Sequence, residues 1–93
     1  MKETDITRAI FDYLKTVPGC FAWKEHGGMY GTAGIPDIIC CMGGRFLAFE
    51  VKTQTGKVTK LQEAMIRKII AAGGTALVVR SVNEVKAVIG PLL

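Results

Sequence analysis

Two carboxylates and one amine in the middle of the chain have the types and spacing that suit metal-assisted hydrolysis. Glu50 and Lys52 lie two residues apart in an apolar run, and Asp37 precedes another such run. Because side chains alternate between the faces of a β-strand, Glu50 and Lys52 share one face. Carboxylate oxygens suit Mg²⁺ or Mn²⁺, which activate water and neutralise phosphate charge. A neighbouring ammonium can position that water or stabilise the developing negative charge. The pattern favours metal-dependent cleavage of a phosphodiester.

A hairpin is predicted to bring these three side chains together. Residues 37–42 and 45–52 are β-rich runs separated by Gly43-Gly44, a connection that is typical of a tight antiparallel hairpin. In that pairing Asp37 lies at the end of its strand where Glu50 and Lys52 arrive. The sequence therefore predicts one site at one end of a sheet.

The chain before the hairpin predicts a helix, a strand and a loop. Apolar residues recur at helical spacing up to Pro18-Gly19, with Thr4 or Asp5 as the N-cap. A short strand is predicted at 20–24. The loop at 25–36 contains four glycines, which indicates close approach by a ligand or by another backbone.

The chain after the hairpin predicts a crossover and a final helix. A helix beginning at Thr59 and ending at Gly73-Gly74 leads to a strand at 75–80, which such a crossover places parallel to the 45–52 strand. A last short helix has Ser81 and Glu84 as a capping box. The predicted class is α/β, a mixed β-sheet flanked by helices in the order α, β, β, β, α, β, α, in a single domain spanning 1–93.

Composition restricts the partners and the compartment. Twelve Lys and Arg against eight Asp and Glu give a formal charge of +4, which favours a polyanion such as DNA. The three cysteines form neither a CxxC metal motif nor an even disulfide framework, and no apolar run suggests a signal peptide or a membrane span. We expect a soluble, cytoplasmic protein with no membrane association and no small-molecule cofactor. Cys40, Cys41 and Trp23 are expected in the core, with base stacking as the alternative for Trp23.

Two motifs carry a resemblance to a nuclease family. Ile35-Pro36-Asp37 followed by Glu50-Val51-Lys52 resembles the PD-(D/E)xK signature of restriction-endonuclease-like nucleases. Gly34, the Gly44-Arg45-Phe46 segment and Leu61-Gln62 are similar to the small stand-alone VRR-Nuc proteins of phages and bacteria. The resemblance spans most of the chain. It implies a restriction-endonuclease-like core, Mg²⁺- or Mn²⁺-dependent hydrolysis of DNA, frequent homodimers, and structure-specific cutting of branched DNA such as Holliday junctions.

The resemblance also implies a role for each core residue. Asp37 and Glu50 become metal ligands, the backbone carbonyl of Val51 a further ligand, and Lys52 the catalytic lysine. A homodimer also agrees with the short chain, since 93 residues bury a smaller share of their surface than a longer chain does.

Two further positions have competing interpretations. Gln62 matches a helix glutamine that supports the site in many relatives, but Thr59 and Gln62 also have capping-box spacing. Glu3 matches an acidic residue of the first helix, but a carboxylate at a frayed N-terminus also favours the helix dipole.

Three basic or titratable residues are candidate DNA contacts. Lys24 ends a strand that leads into the glycine loop, where its ammonium can approach a phosphate. Arg80 ends another strand and can do the same, or can pair with an acidic neighbour. His26 can contact phosphate or move a proton, although a loop histidine is more often only solvated.

Two other classes of function compete with the nuclease. A DNA-binding module with this fold needs only the basic charge and predicts binding without cutting. A scaffold protein predicts no salt-sensitive DNA binding.

Overall fold

The computed structural model describes residues 1–25 and 31–93, which form a mixed sheet with helices on both faces. The elements follow the predicted order, with bounds α1 (Glu3–Leu14), β1 (Cys20–Lys24), β2 (Ile38–Met42), β3 (Arg45–Val51), α2 (Lys60–Ala71), β4 (Thr75–Val79), α3 (Val82–Ile89) and a 3₁₀ turn (Gly90–Leu92). This confirms the predicted α/β class. None of the helices in the described ranges is long and apolar enough to span a membrane.

The β2–β3 hairpin has the register that the glycine pair predicts. Met42 pairs with Arg45 and Ile38 with Phe49. Gly43 and Gly44 have φ of +57° and +81°, the left-handed conformation at both central positions that a type I′ turn requires. The next positions beyond the last pair are Asp37 and Glu50, so the turn places these two residues at the same end of the sheet.

The sheet has the strand order β1-β2-β3-β4. β1 and β2 are antiparallel, as are β2 and β3, whereas β4 lies parallel to β3. The parallel pairing follows the crossover through α2 and confirms the prediction. β3, which carries Glu50, is therefore an inner strand with partners on both sides.

The two faces of the sheet are covered to different extents. Apolar side chains of α1 and α3 pack with β2, β3 and β4 in the main core, whose largest buried members include Ile10, Leu14, Phe49 and Ile89. Burial of each such side chain stabilises the fold by about 1.5–3 kcal/mol. On the opposite face α2 covers a smaller cluster of Ile39, Ala48 and Ala76.

The uncovered part of this second face corrects two sequence expectations. Cys40 is buried as expected, but Cys41 is exposed and Trp23 remains 37% exposed. Trp23 and Cys41 belong to the strand positions that share a face with Ile39, beyond the reach of α2. Their environment depends on where the helix packs, which strand propensity does not specify.

Two helix starts differ in detail from the prediction. The N-cap of α1 is Lys2, not Thr4 or Asp5, because the Asp5 carboxylate accepts a hydrogen bond from the Lys2 backbone N–H at 3.2 Å. At α3, Ser81 is the N-cap as predicted. The Glu84 carboxylate, however, accepts from the backbone N–H of Arg80 at 3.0 Å, so the reciprocal bond of the capping box is formed one residue earlier.

The loop that leads to Asp37 lies close against α2. Gly34 has φ of +79°, and a Cβ atom there would lie 2.7 Å from Leu61 Cγ and 3.2 Å from the Leu61 carbonyl oxygen. The expected close approach of another backbone therefore occurs at Gly34. At Gly34 the chain is therefore packed against the helix just before it enters β2.

Candidate active site

One end of the sheet collects the three residues that the motifs single out. Asp37 directly precedes β2, Glu50 is the penultimate residue of β3, and Lys52 directly follows β3. The Lys52 N–H donates to the Val79 carbonyl at 3.0 Å, which continues the parallel pairing one residue beyond the strand. The three positions are thus fixed by pairing on both sides of β3.

Glu50 is a buried carboxyl beside other acidic groups. Only 2% of it is exposed. Burial, together with the hydrogen bond and the charge of Asp37, raises the pKa of Glu50 from 4.5 to about 8. Lys52 opposes this shift and Glu3 adds to it. Together these causes favour the neutral, protonated form of Glu50.

Asp37 is oriented by two backbone amides. Its Oδ2 atom accepts a hydrogen bond from the Val51 N–H at 2.8 Å, and its own carbonyl accepts from the Glu25 N–H at 2.8 Å. The first bond ties the carboxylate to the middle residue of the Glu50-Val51-Lys52 motif. The Asp37 side chain is therefore held in place before any ligand arrives.

Lys52 brings a positive charge to the same place. Its Nζ lies 4.0 Å from Glu50 Oε2, and its side chain is 13% exposed. Charges interact more strongly where water is largely excluded, so this ammonium acts on Glu50 and on any anion bound next to it.

The donor set fits a hard divalent cation. Among residues 1–25 and 31–93, no group of three or more His, Cys, Asp and Glu side chains is placed to hold a metal ion. The available acids are the pair Asp37 and Glu50. Two carboxylates with no soft ligand suit Mg²⁺ or Mn²⁺, which keep several waters in their coordination shell. Two neighbouring acids in a poorly solvated place also repel each other, and a divalent cation relieves that repulsion.

Glu3 and Gln62, the two further residues that the sequence suggests for the site, lie in the first turns of different helices. Glu3, in the first turn of α1, is close enough to raise the pKa of Glu50 but remains exposed. Gln62 lies in the first turn of α2, where its Oε1 accepts from the Thr59 N–H at 3.0 Å and its N–H donates to Thr59 Oγ1 at 3.1 Å. The capping alternative for Gln62 is therefore present in the structure, and its role in the site stays a prediction.

The predicted DNA contacts divide into three cases. Lys24 is exposed at the end of β1 and pairs with Ile38, the residue after Asp37. His26 lies outside the described residues. Arg80 Nη1 donates to the carbonyls of Thr53 and Gly56, so its guanidinium lies against the turn that follows Lys52.

Sequence reasoning missed this contact of Arg80. The composition of the 53–58 segment is typical of a turn and predicts only a connection between a strand and a helix. The partners of the guanidinium are backbone carbonyls, which leave no signal in residue type. The one usable signal is that parallel β3 and β4 end at the same edge, so residues just after each strand become neighbours.

Comparisons with known proteins agree with this fold. Over 97% of its length the chain is similar to a solved VRR-NUC domain protein, at 20% identity and a TM-score of 0.81, covering 86% of that chain. A second VRR-NUC domain matches 95% of the chain at 21% identity and a TM-score of 0.79, with 94% of that domain covered. These likenesses show the restriction-endonuclease-like fold.

The remaining comparisons concern the family. The Holliday junction resolvase Hjc of Archaeoglobus fulgidus matches 84% of the chain at 22% identity and a TM-score of 0.63, with 67% of that protein covered. A search of curated proteins gave no match. The family model described as archaeal Holliday junction resolvase (Hjc) matches residues 13–90. Because this match includes most of the sequence and all three core residues, the chain belongs to the Hjc family.

Proposed function

We propose that the protein is an endonuclease that uses Mg²⁺ or Mn²⁺ to hydrolyse DNA at branched structures such as Holliday junctions. The observation that carries the proposal is a buried Glu50 between the Asp37 carboxylate and the Lys52 ammonium at one end of the sheet. Membership of the Hjc family supports branched DNA as the substrate.

Asp37, Glu50 and the backbone carbonyl of Val51 are the groups that would hold the cation, with the Glu3 carboxylate nearby. When bound, the cation lowers the pKa of water and neutralises charge on the phosphate. Asp37 is already oriented by the Val51 N–H, so little reorganisation is needed when the ligands are engaged.

Lys52 is the residue of the chain that supplies positive charge at the proposed active site. Its Nζ donates a hydrogen bond to the phosphate oxygen on which negative charge develops, or orients the attacking water. The low exposure of Lys52 strengthens either interaction, because little water competes for the ammonium. The ammonium lies 4.0 Å from Glu50 Oε2, beside the proposed cation ligands.

DNA reaches this end of the sheet past basic groups. We propose Lys24 as a phosphate contact, which is supported by its exposed position at the end of β1 opposite Ile38, and His26 as a second contact on sequence grounds alone. The formal charge of +4 supports a salt-dependent attraction to DNA.

A second copy of the chain is the partner that we propose for the uncovered sheet face. Phe21 pairs with Cys41 and Cys41 with Phe46, so these residues form an apolar row across three strands. Phe21 is 69% and Phe46 44% exposed, and Trp23 lies 5.5 Å from Phe21 between ring centroids. A homodimer buries this row and supplies two active sites, which cutting two strands of a junction requires.

The dimer is tested by charge placed in the row. We expect Phe21→Asp to convert a dimer to a monomer in light scattering, and to weaken junction cleavage more than Leu93→Asp does. Leu93 is a suitable control because it is 71% exposed and lies outside the row. A monomeric parent at micromolar concentration would contradict the dimer.

The nuclease activity is tested on labelled four-way junctions and on linear duplexes of the same arms. We expect Mg²⁺- or Mn²⁺-dependent cutting of the junction by the parent, and loss of at least about 100-fold in rate in Glu50→Gln and in Lys52→Met. Asp12→Asn and Lys15→Met are matched controls, since both are exposed near the far end of α1. Junction binding by the parent without any cutting would favour the non-cleaving DNA-binding module.

We further propose that the protein works in the cytoplasm. Support comes from the cysteine content, since three cysteines form no even disulfide framework of the kind found in secreted proteins.

A further inference from the structure

The turn directly after Lys52 is closed by its own hydrogen bonds and by a distant arginine. The backbone N–H of Gly56 donates to two oxygens of Thr53, to Oγ1 at 3.1 Å and to the carbonyl at 3.2 Å. Arg80 Nη1 then donates to the Thr53 carbonyl at 2.5 Å and to the Gly56 carbonyl at 2.7 Å. Both hydrogens of this nitrogen are thus used on the two ends of the turn.

Arg80 is itself held firmly at its backbone. It directly follows β4, and its N–H donates to Glu84 Oε1 in the first turn of α3 at 3.0 Å. The preceding residue, Val79, accepts the N–H of Lys52 at 3.0 Å. The residues just beyond β3 and β4 are therefore linked twice, once by this backbone bond and once by the guanidinium.

Lys52 depends on this second link for its direction. It lies outside β3, and the chain turns immediately after it. If the segment 53–56 moves, the backbone of Lys52 rotates and its Nζ leaves the position 4.0 Å from Glu50. A planar guanidinium that donates two bonds from one nitrogen fixes both carbonyls of the turn, which an ammonium on a flexible stem does less well.

We propose that Arg80 is a positioning residue for Lys52: by clamping the carbonyls of Thr53 and Gly56 it holds the turn that aims the ammonium at the reacting phosphate. The inference rests on the proposed nuclease function. It differs from a direct phosphate contact by Arg80, because the role proposed here depends on the two Nη1 bonds to the turn and not on a bond to DNA.

The two roles of Arg80 separate when binding and cleavage are measured independently. We compare Arg80→Ala, Arg80→Lys and the matched control Arg67→Ala, an exposed arginine of α2. Single-turnover cleavage is measured at saturating four-way junction with Mg²⁺, and binding with Ca²⁺ at several salt concentrations. A small misplacement of a catalytic group costs on the order of 10- to 100-fold in rate.

For a positioning role we expect Arg80→Ala to lose about 10- to 100-fold in cleavage rate with junction Kd within about twofold of the parent. Arg80→Lys should recover little of the rate, although it keeps the charge. Free guanidinium ion added to Arg80→Ala should restore part of the rate. A phosphate contact predicts the opposite: a raised Kd, a salt slope reduced by about one, and recovery by lysine. That result, or an unchanged rate in Arg80→Ala, would overturn the proposal.

Amide hydrogen exchange keeps the inference testable apart from activity. Exchange at Gly56 should accelerate in Arg80→Ala and in Arg80→Lys while the amides of β3 remain protected, and Arg67→Ala should leave Gly56 unchanged. Unchanged exchange at Gly56 would refute the clamp. If the parent cuts no DNA but Gly56 responds, the proposed function fails while the clamp stands. If Arg80→Ala does not fold, Arg80→Lys carries the same comparison.

Discussion

Replacing Glu50 with Gln removes one of two neighbouring acids while it keeps the size of the side chain. Burial, together with Asp37, raises the pKa of Glu50 from 4.5 to about 8 in the folded protein. Between these two pH values the folded protein keeps a proton on Glu50 that the unfolded chain has released. The contribution of Glu50 to stability is therefore complete below about pH 4.5 and is lost as the pH rises through about 8. Gln cannot ionise and escapes this loss. Glu50→Gln should therefore be more stable than the parent in alkaline solution and about equally stable in acid.

The size of the effect follows from the shift in pKa. Each unit corresponds to about 1.4 kcal/mol, so charging Glu50 in the fold costs at most about 5 kcal/mol. The shift already includes the charge of Lys52, which lowers the pKa, and relaxation of the site around a charged Glu50 reduces the cost further. In a domain of this size about 1 kcal/mol changes Tm by roughly 4–8 °C, so we expect Glu50→Gln to raise Tm by on the order of 10 °C near pH 9 and by very little near pH 5.

Thermal unfolding across pH, with a chelator present, measures this difference. In a second series without chelator, Mg²⁺ or Mn²⁺ should raise the Tm of the parent near pH 8, because a ligand that binds only the folded state stabilises it. The same ions should have little effect on the Tm of Glu50→Gln. Cleavage of junctions by Glu50→Gln should be lost despite its higher stability. A Tm difference that does not change with pH, or a Glu50→Gln protein less stable than the parent near pH 9, would refute the reasoning.

Three further predictions concern neighbouring parts of the molecule. Gly34→Ala should lower the free energy of unfolding by about 1–3 kcal/mol in chemical denaturation, because Gly34 has a positive φ and lies close to Leu61. Gly19→Ala should lose less, because Gly19 also has a positive φ but a Cβ there meets open space. Equal losses would contradict the close approach. Gln62→Ala should lose about 1 kcal/mol of stability, because the Gln62 amide caps α2, and its single-turnover cleavage rate should be unchanged. A clear loss of cleavage rate would instead place Gln62 in the site. Lys24→Met should raise the Kd for DNA and reduce the salt slope by about one in fluorescence anisotropy, with cleavage at saturation unchanged; an unaltered Kd would remove Lys24 from the interface.

The position of the candidate site was predictable because it depends on local rules. A two-glycine connection selects a tight hairpin, and the hairpin fixes the register that sets Asp37 across from Glu50. The crossover through α2 then requires a parallel β4, which makes β3 an inner strand. Strand alternation assigns Glu50 and Lys52 to one face without further information.

Features that depend on tertiary packing were not predictable in the same way. Trp23 and Cys41 are exposed because α2 covers only the part of its face that holds Ile39, Ala48 and Ala76, and strand composition contains no information on where a helix will lie. The clamp by Arg80 uses backbone carbonyls of a turn 24 to 27 residues away. The Lys2 cap of α1 likewise arises from a carboxylate three residues later that bonds back to a backbone amide.

Anomalous diffraction from crystals soaked in Mn²⁺ tests the central claim most directly. If Asp37 and Glu50 form the metal site, a manganese peak will lie between their carboxylates, with Lys52 Nζ beside it, and will be absent in Glu50→Gln crystals treated in the same way. Crystals of the parent in which both carboxylates remain without manganese, while the ion binds elsewhere or not at all, would contradict a metal-dependent nuclease at this end of the sheet.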